Sequence, residues 1–178
     1  MRRSFRTAAI LSLFTFAAII YHPAEVIGAP PFGGPEDVKD SEQLWQALSD
    51  ARLVGSQAIS AMPYEGSVHK TILVTLDSTL GVGDHTGAVI VKKMYQGPDV
   101  SIQSVFDDPA KNLKIVAVMY QREKGYDPDN QDWLYVKYNP DGTPQMNKKG
   151  VFMAGRAAKC ISCHQSAPGD DYIYSYDR

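Results

Sequence analysis

The chain is predicted to fold as α+β: mainly an antiparallel β-sheet, with an N-terminal helix and a C-terminal helical segment. Three features predict this. Residues 36–54 carry one apolar stripe at helical spacing. Several β-branched runs follow close together in sequence, a spacing that favours antiparallel pairing. From Asn147 onward the chain turns polar and glycine-containing before a short helical stretch that holds both cysteines.

In the first helix Val38, Leu44, Trp45, Leu48 and Leu53 fall on one face, with Asp, Glu and Lys on the other. Trp45 is a core anchor. The run from Val68 to Leu76 alternates and reads as a strand, and residues 77–87 read as a turn-rich connection. Ala88 to Tyr95 is a second strand and Val100 to Phe106 a short third. Leu113 to Gln121 and Trp133 to Tyr138 are the clearest strands. Gly125-Tyr126-Asp127-Pro128-Asp129-Asn130 breaks both periods between them. Pro140-Asp141-Gly142 closes the sheet, for four or five strands in all. The cysteines lie in a helical stretch from about Gly155 to His164.

The N-terminus runs from a basic Met1-Arg2-Arg3-Ser4-Phe5-Arg6 through an uncharged Thr7–Tyr21 to Pro23 and a small-residue stretch ending Ile27-Gly28-Ala29. That order reads as a signal peptide over 1–28 and predicts export to the periplasm. An uncleaved membrane anchor is the alternative, although the apolar run is short for a span. A single domain is then expected over 36–178. The whole chain has 18 Lys and Arg against 20 Asp and Glu. Without Arg2, Arg3, Arg6 and Glu25 the balance is 15 to 19. A mildly acidic domain without a basic run is not built to bind nucleic acid.

Two cysteines in an exported protein would by default pair, but a bridge between positions three apart staples almost nothing. Cys160-Ile161-Ser162-Cys163-His164 is instead the Cys-x-x-Cys-His attachment signature of a c-type haem. Residues at i and i+3 share a face of one helical turn, so both thiols reach the vinyl groups on one porphyrin edge, and His164 is the iron ligand. One heme c per chain is expected. A redox dithiol would need a thioredoxin-like βαβ pattern, and zinc would need further ligands at compatible spacing. The sixth iron position decides between electron transfer and ligand chemistry. Its candidates are His69, His85, Met62, Met94, Met119, Met146 and Met153, and none stands out.

With these residues in view, the chain resembles the cytochrome P-460 family, which includes the cytochromes c′-beta. The likeness rests on Gly87-Ala88-Val89-Ile90-Val91-Lys92, on Asp132-Trp133 leading into Leu134–Tyr138, and on the haem motif followed by Asp171-Tyr172-Ile173-Tyr174. It implies a mostly antiparallel β fold, a homodimer, and a five-coordinate haem with an open distal face. In hydroxylamine-oxidising members a lysine at the place of Lys92 is cross-linked to the haem, which would make Lys92 both cofactor-binding and catalytic. Periodicity leaves open whether Lys92 or Lys93 points inward, because both faces of their strand are apolar. The family commonly has Glu after that lysine, where this chain has Lys93. Glu65, Asp84, Glu123, Asp127 and Asp132 are other possible proton acceptors.

Three functions follow as expectations. One is a periplasmic mono-haem cytochrome with an open distal site for nitric oxide or hydroxylamine, oxidising hydroxylamine through a Lys92-linked haem and passing electrons to a redox partner protein. The second is a non-catalytic nitric oxide binder or sensor, with Phe106, Tyr95 or Tyr120 as possible caps over iron. The third is a simple electron-transfer cytochrome with an axial Met or His.

Overall fold

A computed structural model describes residues 32–174; the expected signal peptide lies outside them. The fold is the predicted α+β arrangement. Helix α1 (Pro35–Asp50) precedes a six-stranded sheet of β1 (Tyr64–Glu65), β2 (Ile72–Val82), β3 (His85–Tyr95), β4 (Leu113–Gln121), β5 (Trp133–Tyr138) and β6 (Ala154–Gly155). Helix α2 (Ile102–Asp107) sits between β3 and β4, and α3 (Ala158–His164) is the last element among the described residues. The strands pair in sequence order and all antiparallel, a meander with no crossover.

Several boundaries differ from the sequence reading, each for a local reason. Helix α1 stops at Asp50, because Arg52 takes a left-handed φ of 58°, although Leu53 and Val54 are still buried beyond it. The strand expected from Val68 begins only at Ile72, since residues 67–69 turn and Lys70 has φ 51°. It then continues through the expected connection to Val82, and the hairpin turn shrinks to Gly83-Asp84. Residues 102–107 form a helix rather than a strand. Ser101 and Ser104 cap each other's backbone N–H groups reciprocally, which outweighs the β-branched content of the segment. The cysteine-bearing helix starts at Ala158, because Gly155 has φ 108°.

The sheet separates two apolar layers. On one face Leu44 and Leu48 of α1 pack on Leu76, Val89, Val91, Val116, Val118 and Val136. Tyr138 is fully buried there and donates from its hydroxyl to the Ser41 carbonyl at 2.8 Å, fastening α1 to the sheet. Trp45 packs its ring 4.9 Å from that of Tyr138, as a core anchor should. On the other face Ile90, Met119, Trp133 and Tyr135 pack against Cys160 and Ile161 of α3. Side chains alternate along a strand, so one face belongs to α1 and the other to the cysteine-bearing segment.

Candidate functional site

Both thiols are free; Cys160 is half-buried and Cys163 exposed on α3. Burial pushes the Cys160 thiol above its usual range, partly offset by the nearby Lys137 ammonium. His164, at the end of the helix, is buried. Its Nδ1 lies 2.7 Å from the Tyr172 carbonyl oxygen. A carbonyl only accepts, so Nδ1 carries the proton and Nε2 keeps the lone pair that a metal requires. The imidazole is flanked edge-on by Tyr135 and Tyr174, at ring-centroid distances of 5.5 and 5.4 Å.

The chain after the motif folds back to supply that carbonyl. Asp171 accepts from the Ile173 N–H at 2.8 Å, Tyr174 donates its hydroxyl to the Cys163 carbonyl at 3.1 Å, and Tyr172 donates its own to the Asp129 carbonyl at 3.3 Å. Tyr172 has φ 65°, a conformation disfavoured for a bulky residue, and this backbone turn presents its carbonyl to His164. The 3-10 helix Pro128–Asn130 buttresses the tail: Gln165 donates to Asn130 Oδ1 at 3.1 Å, and Gln131 donates to the Asp170 carbonyl.

Register assigns the two lysines. Lys92 stands opposite Thr75 and Ala117, and shares its face with Ile90 and Met94. That is the face carrying Cys160 and His164. Lys92 is 5% exposed, and its Nζ donates to the Tyr174 carbonyl at 3.3 Å, beside the His164 ring. Lys93 stands opposite Val74 and Val116 on the other face. The Glu-for-Lys difference at position 93 therefore concerns the α1 side of the sheet. Tyr95 and Tyr120 also lie on that side, and Phe106 is exposed on α2, so none of the three is placed to cap a group held by Cys160, Cys163 and His164.

Of the seven possible sixth ligands, register puts Met94 and Met119 on the Lys92 face. Met62 and Met146 are exposed, Met153 is half-buried beside β6, and His69 lies in the turn before β2. His85 opens β3, with Nε2 3.0 Å from the Gln121 carbonyl. Among the suggested proton acceptors, Glu123 is paired with Arg122, and Asp127 and Asp132 accept hydrogen bonds within their own loop. Glu65 and Asp84 are exposed. The carboxylate that alternation does put on the Lys92 face is Asp77, opposite Ile90. The sequence reading missed it by assigning residue 77 to a turn.

The residues present fit a haem on their own chemistry. Two thiols one helical turn apart, an oriented imidazole and an apolar sheet face converge on one side. In that layer the buried Trp133 Nε1 and Tyr135 hydroxyl have no hydrogen-bond partner among the described residues, and burial raises the Tyr135 phenol. Buried polar atoms are normally satisfied, so two orphans beside α3 mark a place where a further group is accommodated.

Such a side-chain set on an antiparallel sheet defines the class of haem-binding cytochromes. A family model described as cytochrome P460 matches residues 80–175, more than half of the chain, and the chain belongs to the cytochrome P460 family. Among curated proteins and among solved structures, nothing matches. No helix among the described residues is long and apolar enough to cross a membrane.

Proposed function

We propose that the protein is a periplasmic c-type cytochrome that holds one haem through Cys160 and Cys163, with His164 as iron ligand, and oxidises hydroxylamine with the haem bonded to Lys92. When bound, haem supplies an iron that takes a small nitrogen ligand and a porphyrin that passes electrons to an external redox partner. The observation that carries the reading is the position of Lys92: buried, on the sheet face of the cysteine helix, its Nζ 3.3 Å from a carbonyl of the tail that wraps His164.

The chain's own residues contribute orientation and proton handling. The Tyr172 carbonyl fixes the tautomer and rotation of His164. Ile90, Met119 and Trp133 keep the layer dry, which strengthens every electrostatic contact in it. Asp77, exposed at the edge of this face, is the side chain assigned to accept protons from the substrate. A homodimer, as in the family resemblance, is part of the same proposal.

The non-catalytic nitric oxide binder remains the second reading, favoured by one fact: the Lys92 ammonium already has a carbonyl partner in Tyr174 and needs no covalent one. Mass spectrometry of proteolysed holoprotein separates the two. The catalytic reading expects one species joining the haem, the Cys160–Cys163 peptide and the Lys92 peptide, with Lys92→Leu abolishing both that species and hydroxylamine oxidation. Haem carried by the cysteine peptide alone leaves the nitric oxide binder standing.

A further inference from the structure

On the side of the sheet away from the thiols and imidazole there is a cavity of about 330 Å³. Its walls are mainly apolar: Trp45, Ile59, Val74, Val105, Phe106 and Val116 contribute. The size is at the lower end of small-molecule sites. Besides Ser56 and Ser60, two polar side chains from neighbouring positions on one face of β3 line it, Lys93 and Tyr95. They are 8% and 1% exposed.

Lys93 is the anomaly. Among the described residues its ammonium has no hydrogen bond or ion pair, and no carboxylate borders the cavity. The ammonium still reaches the solvent in the cavity, and holding a charge against mainly apolar walls without a partner is costly. The Tyr95 hydroxyl likewise has no partner among the described residues. Both groups are hydrogen-bond donors at neutral pH, since burial holds the Tyr95 phenol protonated, with its pKa pushed up to about 12. Burial also lowers the Lys93 ammonium, an effect that a bound anion would reverse. At the rim, Ile59 and Phe106 expose 45% and 58% of their surface, so the approach is apolar as well.

We infer that this cavity binds an amphipathic monocarboxylate, its head group accepting from Lys93 and Tyr95 and its hydrocarbon lying against Trp45, Val105 and Phe106. A dianion fits less well, with a single cation available. A neutral apolar molecule would leave the ammonium uncompensated. The inference goes beyond haem chemistry and does not depend on it, because the cavity shares no lining residue with the cysteine-bearing layer.

The test is titration calorimetry of the purified full holoprotein with octanoate and, separately, 1-octanol. The expected result is saturable binding of octanoate at least about tenfold tighter than octanol, equivalent to about 1.4 kcal/mol. Lys93→Met should fold normally, because it removes a buried charge, and should bring octanoate down to the octanol level. Lys93→Arg should keep the preference for the carboxylate. Equal binding of acid and alcohol by the unsubstituted protein, no binding of either, or an unchanged preference in Lys93→Met would overturn the proposal.

Discussion

His164 is held by Tyr172: the imidazole Nδ1–H donates to the Tyr172 carbonyl oxygen at 2.7 Å, across eight residues of chain that loop back over the helix. The contact depends on Tyr172 adopting a left-handed φ of 65°, so the backbone, more than the phenol, does the orienting.

Two substitutions at that position should therefore differ in effect. Tyr172→Gly tolerates positive φ and keeps the carbonyl, whereas Tyr172→Val resists that region because its side chain is β-branched. An imidazole that donates to a carbonyl is a stronger ligand. Resonance Raman spectra of the ferrous holoprotein should show the iron–histidine stretch near its original frequency in Tyr172→Gly and lowered in Tyr172→Val. Equal lowering in both would assign the effect to the ring instead.

Alkaline stability should have two opposing phases. The Lys93 ammonium titrates lower in the folded chain than in the unfolded one, so the unfolded state binds more protons and stability rises as pH climbs through the lowered value toward 10.5. The buried phenols behave oppositely. Tyr95, Tyr120, Tyr126, Tyr135 and Tyr138 are all raised above 10 by burial, so their contribution begins to fade once unfolded tyrosines ionise and stability falls above about pH 10. Urea unfolding at intervals from pH 8 to pH 11 should show the first phase disappear in Lys93→Met while the second remains.

Gly87 is placed by close approach. A Cβ there would run into the Gln121 carbonyl of β4, which is backbone and cannot rotate away. Gly87→Ala should cost roughly 1–3 kcal/mol, the usual penalty of overpacking, seen as a lower urea midpoint with an unchanged slope. An unchanged midpoint would mean that the two strands part without penalty.

Tyr138→Phe removes the buried hydroxyl that joins β5 to the Ser41 carbonyl of α1. A lost buried hydrogen bond should cost about 1–2 kcal/mol. Amide exchange should speed up in α1 and leave α3 unaffected, because the two helices lie on opposite sides of the sheet.

The legibility of the chain was uneven for physical reasons. Leu113–Gln121 and Trp133–Tyr138 were readable to the residue, since alternation and flanking turn residues agree there. The segment after Val100 misled, because two serines three positions apart, Ser101 and Ser104, capped a helix that β-branched content argued against. Cys160, Cys163 and His164 were singled out by spacing alone, and the structure places all three on one short helix. Lys92 and Lys93 were not separable, because both faces of their strand are apolar; only knowing which layer receives α3 distinguishes them. Asp77 and the Tyr172 carbonyl were hidden for different reasons. One needed the true length of β2, and the other is a backbone group, on which side-chain identity says little.

The central claim is that the two sulfurs carry a haem by covalent bonds, and extraction of the purified protein with acidified acetone tests it most directly. The haem colour should remain with the precipitated protein, and should move into the solvent when both Cys160 and Cys163 are replaced by serine. A colourless protein, or pigment released from the unsubstituted chain, would contradict it.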